Sequence, residues 1–332
     1  MLSPAYRTLV LLLLAGFPLG CASGGRVTPP TEELLTLPKE MADRFELQAA
    51  AAIPAVPASA SAAPASLPSA KKEIQKKKAA STPAAPAMQY PDRRKDFQTQ
   101  FKTGEKAVYE ITYFGVPAAY LTMTVQPPQT INGRAVYHSA ITVESHPLFK
   151  LVYRMNDRID TFFDQTGLFS HRFQMSLDES KQTRQTLELY DHEQGRMFYR
   201  NFWAPRDNTP KRHEGYFPMP RFTQDSVSSL YYLRAIPLRL NEQVEFEVAQ
   251  EGKHFQSIIK VEGTEKLTSR LGDKQALKLR LGARINGQLK KPDDNFLWIS
   301  LDETRIPLRL EAKLKIGTIV ATLIKYEPGK AE

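Results

Sequence analysis

The chain has 332 residues and a net charge of +9. Twelve Lys and Arg against seven Asp and Glu lie before residue 96, which leaves a charge of only +4 for the remaining 237 residues. This weak basic excess, without a zinc-finger, helix-turn-helix or RNA-binding motif, argues against nucleic acid as a partner. The single cysteine, Cys21, excludes an internal disulfide.

Residues 1–20 are predicted to be a signal peptide. Arg7 precedes an apolar run, Leu9 to Ala15, that is too short to span a bilayer, where about 20 residues are needed. Cys21 follows a Leu-Gly pair, and this pattern resembles the lipobox of bacterial lipoproteins. The resemblance implies that Cys21 is acylated, and Ala22 after it implies sorting to the outer membrane. We therefore expect the chain on the periplasmic face of that membrane, anchored by lipid. The alternative is a free cysteine in an ordinary signal peptide.

Residues 21–95 are predicted to be a disordered tether. Between Gln48 and Met88 nearly every residue is Ala, Pro, Ser or Lys, so this segment has little apolar surface to bury. About 75 residues of coil span roughly 50 Å. A group of five lysines in the tether either contacts anionic headgroups or cell-wall polymer, or keeps the linker solvated. These lysines are Lys71, Lys72, Lys76, Lys77 and Lys78.

Residues 96–328 are predicted to be a single β-rich domain, followed by a tail at 329–332. Apolar and polar residues alternate from Ala107 onward, and short connections continue to Trp203, which predicts a first antiparallel meander. Residues 204–222 contain four prolines and are expected to be irregular. A second meander follows from Gln243. Its clearest strand alternates apolar with mostly charged residues between Ile306 and Ile316.

One helix, at about residues 225–236, is predicted between the two meanders. Asp225 is a typical N-cap residue, Pro237 ends the segment, and Val227, Leu230 and Tyr231 form one apolar face. About fourteen strands are too many for one flat sheet, since strongly twisted sheets rarely exceed about ten. The predicted fold is therefore mainly β, a strongly curved antiparallel sheet or half-barrel. The helix is expected to cover its open mouth or pack in its concave side.

Four landmarks occur together in this domain. They are F-x-x-G-E ending at Glu105 with Y-E-I-T-Y-F-G-V-P-A after it, the strand containing Asp157, the helix D-S-V-S-S-L-Y-Y-L-R, and W-I-S-L-D-E-T-R-I-P-L-R-L beginning at Trp298. Together they resemble the bacterial envelope family called domain of unknown function 3108, over about residues 97–328. Ala119 departs from the glycine that is common in the family. The resemblance implies a secreted, mostly β domain of the Gram-negative envelope and implies no reaction.

No catalytic activity, metal or cofactor is predicted. The chain lacks G-x-S-x-G, H-E-x-x-H, Walker and G-x-G-x-x-G motifs. Its six histidines show no pair at i, i+2 or i, i+4, so hydrogen-bonding roles are favoured over a zinc site assembled from His138 and His171. Asp157, Asp160 and Asp164 fit turns and salt bridges better than paired catalytic carboxylates.

Four side chains are candidates for contact with a ligand or partner: Tyr232, Arg234, Trp298 and Arg305. Trp and Arg are enriched at the centres of interfaces. For Arg305 the alternative is that it fixes a hairpin turn together with Asp302, and for Arg234 and Tyr232 the alternative is core packing.

The leading functional hypothesis is a tethered binding module for an apolar or amphipathic ligand. The predicted strands carry more aromatic residues than one sheet face can easily bury, and apolar walls are typical of ligand pockets. The alternative is a structural or assembly protein that docks another envelope protein.

Overall fold

A computed structural model of the chain describes residues 36–49, 89–98, 101–289, 294–314 and 316–330. The signal peptide, Cys21 and most of the predicted tether lie outside these residues. The strands are β1 (Gln48–Ala49), β2 (Lys106–Tyr113), β3 (Val116–Ile131), β4 (Arg134–Ser145), β5 (Asn156–Asp164), β6 (Ser170–Asp178), β7 (Gln182–Asp191), β8 (Arg196–Pro205), β9 (Lys211–Pro218), β10 (Gln243–Gln250), β11 (Lys253–Ser269), β12 (Gly272–Ile285), β13 (Gln288–Leu289), β14 (Phe296–Ser300), β15 (Pro307–Lys313) and β16 (Thr318–Glu327). The α-helices are α1 (Ala42–Phe45), α2 (Pro147–Lys150) and α3 (Ser228–Ala235), and Arg94–Asp96 form a 3-10 turn.

All the strands belong to one antiparallel sheet, which confirms the predicted fold class. Fourteen of them follow the order β10-β11-β12-β14-β15-β16-β2-β3-β4-β5-β6-β7-β8-β9, while β1 adds to β3 and β13 to β12. The two meanders join in the middle of the sheet, where β16 pairs with β2. The segment between β9 and β10, which contains α3, therefore links the two ends of the strand order.

The sheet is so strongly curved that its β10 end reaches the inner side of β7. Tyr190 Oη donates to Ala249 O at 3.0 Å, and Gln250 Nε2 donates to Glu188 Oε2 at 2.9 Å. Gln224, between β9 and β10, adds a parallel bridge to β10. The sheet thus encloses an interior.

Helix α3 packs in the concave side of the sheet, as predicted. Seven of its eight residues are buried, and Leu230 and Tyr231 belong to the same apolar cluster as the inward residues of both meanders. The helix begins at Ser228, three residues later than the prediction, because Asp225 Oδ1 accepts from the amides of Val227 and Ser228 at 2.7 Å each. These hydrogen bonds cap the first turn, the role predicted for Asp225.

Residues 36–49, here called the N-terminal arm, pack on the outer face of the sheet, where a disordered tether was expected. Met41 and Phe45 are 1% and 2% exposed. The arm also extends the sheet, since β1 pairs with β3. Leu37, Met41 and Phe45 recur every four residues, a spacing that gives a helical turn one apolar side. They cover an outer cluster of Ile131, Val136, Phe162, Leu187, Leu189 and Phe198.

Replacing Phe45 with alanine is expected to release the arm without unfolding the sheet. A buried Phe→Ala change costs roughly 3–5 kcal/mol, but here the loss is limited to the free energy that holds the arm. Hydrogen exchange of residues 36–49 should accelerate by tenfold or more, while exchange in β5 stays unchanged. Lys39→Ala is the matched control because Lys39 is exposed. Equal exchange in the Phe45→Ala and unsubstituted chains would show that the arm is held by other contacts.

Candidate functional site

The C-terminal end of α3 is held by a buried ion pair. Arg234 donates from Nη1 to Glu105 Oε1 at 2.7 Å and from Nη2 to Glu105 Oε2 at 2.9 Å. Arg234 is 2% exposed and Glu105 is 8% exposed. Burial disfavours the guanidinium charge, but the paired carboxylate outweighs it and raises the pKa of Arg234. The guanidinium also lies 4.9 Å from the ring centre of Phe101.

Arg305 binds the free carbonyl groups at the same end of the helix. Its Nε donates to Arg234 O at 2.6 Å and its Nη2 donates to Ile236 O at 3.2 Å. Gln98 completes the cap, since its backbone N–H donates to Ala235 O at 2.7 Å. A cation is favourable at a helix C-terminus because it balances the helix dipole. We call Glu105, Arg234 and Arg305 the helix clamp.

The two other predicted contact residues lie away from the clamp. Trp298 is 4% exposed, its Nε1 donates to Glu265 Oε2 at 2.8 Å, and its ring lies beside the cations of Lys278 and Arg309. Tyr232 is half-buried on the side of α3 that packs against Phe246.

The structure therefore brings together Arg234 and Arg305, but not Trp298 or Tyr232. Arg234 joins α3 to Glu105, and Arg305 binds carbonyl groups at the end of α3. Arg305 N also donates to Asp302 O at 3.1 Å in the turn after β14. A ligand or partner role for any of the four stays a prediction. The sequence interpretation missed Glu105 as the partner of Arg234, although the F-x-x-G-E landmark contains it.

An apolar space lies between α3 and the middle of the sheet. It consists of two small adjoining cavities, with volumes of about 10 and 30 Å³. Tyr109, Met123, Leu230 and Pro307 line both cavities. The Tyr109 hydroxyl donates to Pro307 O at 2.9 Å. The larger cavity therefore offers mainly apolar contacts, and its remaining lining residues are Leu121, Leu297, Leu310 and Ala321.

The N-terminal end of α3 sits in a buried polar network. Asp225 is fully buried, and its Oδ2 accepts from Ser170 Oγ at 2.7 Å and from Thr161 Oγ1. Burial raises the pKa of Asp225. Nearby, Glu188 accepts from Tyr190 Oη and Gln250 Nε2, and burial raises its pKa to about 8. The Asp225 hydrogen bonds fix the start of the helix to β5 and β6, and the Glu188 hydrogen bonds join β7 to the end of β10.

A pair of buried carboxyl groups lies where β5 meets the turn between β6 and β7. Asp157 Oδ1 accepts from Asp178 N at 3.0 Å, and Glu179 Oε2 accepts from Tyr153 Oη at 2.8 Å. Within the described residues, Asp157 Oδ2 and Glu179 Oε1 have no hydrogen-bond partner. Burial first, and then the neighbouring Glu179, raise the pKa of Asp157 to about 8. Arg154, the adjacent cation, is bound by both oxygens of Asp178 at 2.8 Å.

The histidines that were weighed as zinc ligands contact different carboxylates. His138 Nε2 lies 2.8 Å from Asp160 Oδ1, and His171 Nε2 lies 3.3 Å from Asp164 Oδ2. In the part of the chain that the structure describes, no three His, Cys, Asp or Glu side chains are grouped to hold a metal ion.

The fold and the interior define a mainly β protein whose single curved sheet encloses a clamped helix and an apolar space. The chain belongs to the family described as protein of unknown function DUF3108, whose model matches residues 108–324. The resemblance found in the sequence is thereby confirmed. Comparison with curated proteins gives no match. Over the described ranges, no helix is long and apolar enough to cross a membrane.

Three solved structures are similar to the chain, and each match covers 70% of it. A beta-barrel-like protein of domain of unknown function DUF1849 from Brucella abortus is 10% identical, is covered completely and gives a TM-score of 0.41. A protein described as exported, with a YmcC-like fold, from Bacteroides fragilis is 10% identical, is 99% covered and gives 0.32. A protein described as a lipoprotein from Parabacteroides distasonis is 9% identical, is 99% covered and gives 0.32.

Proposed function

We propose that the protein is a lipoprotein of the periplasmic face of the outer membrane, anchored through Cys21, that binds an apolar or amphipathic ligand beside α3. The observation that carries the ligand proposal is the larger cavity, lined by Leu121, Leu297, Leu310 and Ala321 together with Tyr109, Met123, Leu230 and Pro307. Mainly apolar walls are typical of ligand pockets. The lipobox-like sequence before Cys21 supports the anchor. The proposal assigns no reaction to the protein.

The helix clamp supplies the polar end of this site. Glu105 and Arg234 belong to the wall of the smaller cavity, next to the four residues that both cavities share. An amphipathic ligand would place its apolar part against Leu230 and Met123 and its polar part toward the clamp. Because the clamp charges already pair with each other, the apolar contacts would supply most of the binding free energy.

Filling the larger cavity is expected to prevent ligand binding. Ala321→Leu adds side-chain volume to the cavity wall, and a clash of 1–3 kcal/mol would weaken binding by about 5- to 150-fold. Native mass spectrometry of the protein purified from envelopes should show a co-purifying ligand in the unsubstituted chain and much less in the variant. A delipidated sample should gain thermal stability when the extracted ligand is restored.

Ala140→Leu is the matched control, since Ala140 and Ala321 are both 5% exposed and Ala140 precedes the inward-facing Ile141. This control should retain the ligand. If the unsubstituted chain carries no additional mass and lipids do not change its melting temperature, the ligand proposal fails. The alternative, a structural or assembly protein that docks another envelope protein, would then be favoured.

A further inference from the structure

Exposed apolar side chains are concentrated at one end of the sheet. The five most exposed large apolar residues in the described ranges are Leu151 (87%), Val152 (76%), Leu148 (74%), Ile316 (71%) and Phe114 (63%). All five lie on three connections, β2–β3, β4–β5 and β15–β16. Together with Val116, which is 59% exposed, we call them the apolar rim.

The three connections of the apolar rim are neighbours in space. β2 is paired with β16 on one side and β3 on the other, so the β15–β16 and β2–β3 turns are adjacent, and β4 follows next in the order. Tyr113 Oη donates to Ile316 O at 2.9 Å, and the Phe114 ring occupies the space beside Gly317. On the other side, His146 N donates to Ala118 O at 2.9 Å.

Three residues of the apolar rim, Leu148, Leu151 and Val152, lie in an ordered connection between β4 and β5. Lys150 N donates to His146 O at 2.8 Å, and Tyr153 N donates to Phe149 O at 2.8 Å. Phe149 packs against the interior cluster and Tyr153 is buried. Leu148, Leu151 and Val152 are therefore held outward by a loop whose other side is anchored in the domain.

The N-terminal arm limits how far the domain can lie from a membrane. The first described residue of the arm is Thr36, whose carbonyl accepts from Arg200 Nη1 at 2.6 Å. Only 14 residues lie between Cys21 and Thr36. The fifteen Cα–Cα steps from Cys21 to Thr36 span at most roughly 50 Å in any conformation, and the sixteen residues of β3 are about as long. A lipid on Cys21 would thus keep the domain within about its own length of the bilayer.

We infer that the apolar rim inserts into the surface of the membrane that carries the lipid anchor. An anchor this short raises the effective concentration of the domain at the bilayer, so weak apolar contacts become populated. Exposed apolar patches of this kind mark interaction surfaces with proteins or membranes. The inference rests on the anchor of the proposed function but is independent of its ligand.

The single cysteine allows a direct test in the full lipidated chain. Leu151→Cys and Ile316→Cys place a thiol on the rim, while Leu301→Cys is the control, since Leu301 is 47% exposed at the other end of β15. Each variant is labelled with a polarity-sensitive fluorophore and reconstituted in vesicles of phosphatidylethanolamine and phosphatidylglycerol. Lipids with a nitroxide near the headgroup should quench the labels at 151 and 316 several times more than the label at 301.

A second variant tests whether the rim acts as a unit. Leu148→Ser, Leu151→Ser and Val152→Ser together should lower quenching of the label at 316 toward the level at 301, while circular dichroism shows an unchanged fold. Rim labels quenched no more than the label at 301 would overturn the inference. Rim labels that lipids do not quench but that crosslink to a protein in cells would also overturn it, in favour of a protein interface.

Labelling of the unsubstituted chain distinguishes a failure of the rim inference from a failure of the lipid anchor in the proposed function. An acylated Cys21 leaves no free thiol, so the unsubstituted chain should take up no label. Labelling of that chain would refute the lipid anchor, and the rim inference would fail with it. An unlabelled chain combined with unquenched rim labels would refute the rim contact alone and leave the anchor intact.

Discussion

Replacing Arg234 with methionine is expected to lower the free energy of unfolding by about 3–5 kcal/mol, because it leaves the Glu105 carboxylate buried without its partner. The change also removes the contact between the guanidinium and the Phe101 ring. A loss of this size is a large part of the stability of an ordinary domain. Urea denaturation followed by circular dichroism measures it.

The double variant Arg234→Met with Glu105→Gln shows whether the pair acts as a unit. It is expected to be less destabilised than the sum of the two single variants, since no charge remains unpaired. Arg158→Met serves as the control because the Arg158 side chain is 56% exposed beside Asp160, and exposed pairs contribute about 0–1 kcal/mol. Equal small losses for Arg234→Met and Arg158→Met would show that the helix clamp does not hold α3.

The protein is expected to lose stability as the pH rises toward 8 because of Asp157. Its pKa is raised to about 8 by burial and by Glu179, whereas an unfolded aspartate titrates near pH 4. The folded state therefore keeps a proton that the unfolded state has released, and stability falls by up to about 1.4 kcal/mol per pH unit between these values. Asp157→Asn should make this slope less steep, while the contributions of Glu188 and Asp225 remain, and the variant should be more stable than the unsubstituted chain at pH 8.

Asp160→Asn is a control, because the contribution of Asp160 to stability changes with pH in the opposite direction. Burial opposes ionisation of Asp160, but hydrogen bonds from His138 and Arg158 outweigh it and lower the pKa. The ionised group therefore stabilises the fold above its unfolded pKa, and this contribution is lost as the pH falls. Urea unfolding from pH 3 to pH 9 measures the free energy of unfolding of all three chains, since the Asp160 contribution is lost only below about pH 4. If the free energy of unfolding changes with pH in the same way for Asp157→Asn and for the unsubstituted chain, Asp157 is ionised in the folded state.

Much of the sheet follows directly from period-two patterns, and the exceptions have physical causes. β15 was predictable because Leu308, Leu310 and Ala312 face the interior and charged residues separate them. β9 was not, since Lys211–Pro218 is an exposed edge strand whose polar residues show no buried face. The N-terminal arm escaped prediction because its three apolar residues are few beside the Ala- and Pro-rich composition around them.

The interior was harder to predict than the fold because its contacts join distant parts of the chain. The sequence marked Arg234 and Arg305 as unusual, yet Glu105, which binds Arg234, and Gln98, which binds Arg305, each lie more than 100 residues from their partner. The two arginines have structural roles because they are buried. No local sequence pattern shows that a charged side chain lies in the interior enclosed by the sheet. The cavity beside Leu230 depends on residues from both meanders and has no sequence signature.

The pairing of β2 with β16 has a consequence for the order in which the chain can fold. Lys106 lies opposite Glu327, so the first and last strands of the domain are neighbours. Until the final strand leaves the ribosome, β2 and β15 both expose an unpaired edge, which is a template for aggregation. Pairing over such a sequence separation also folds slowly. The two meanders can form early, but the sheet becomes continuous only when the whole domain has been synthesised.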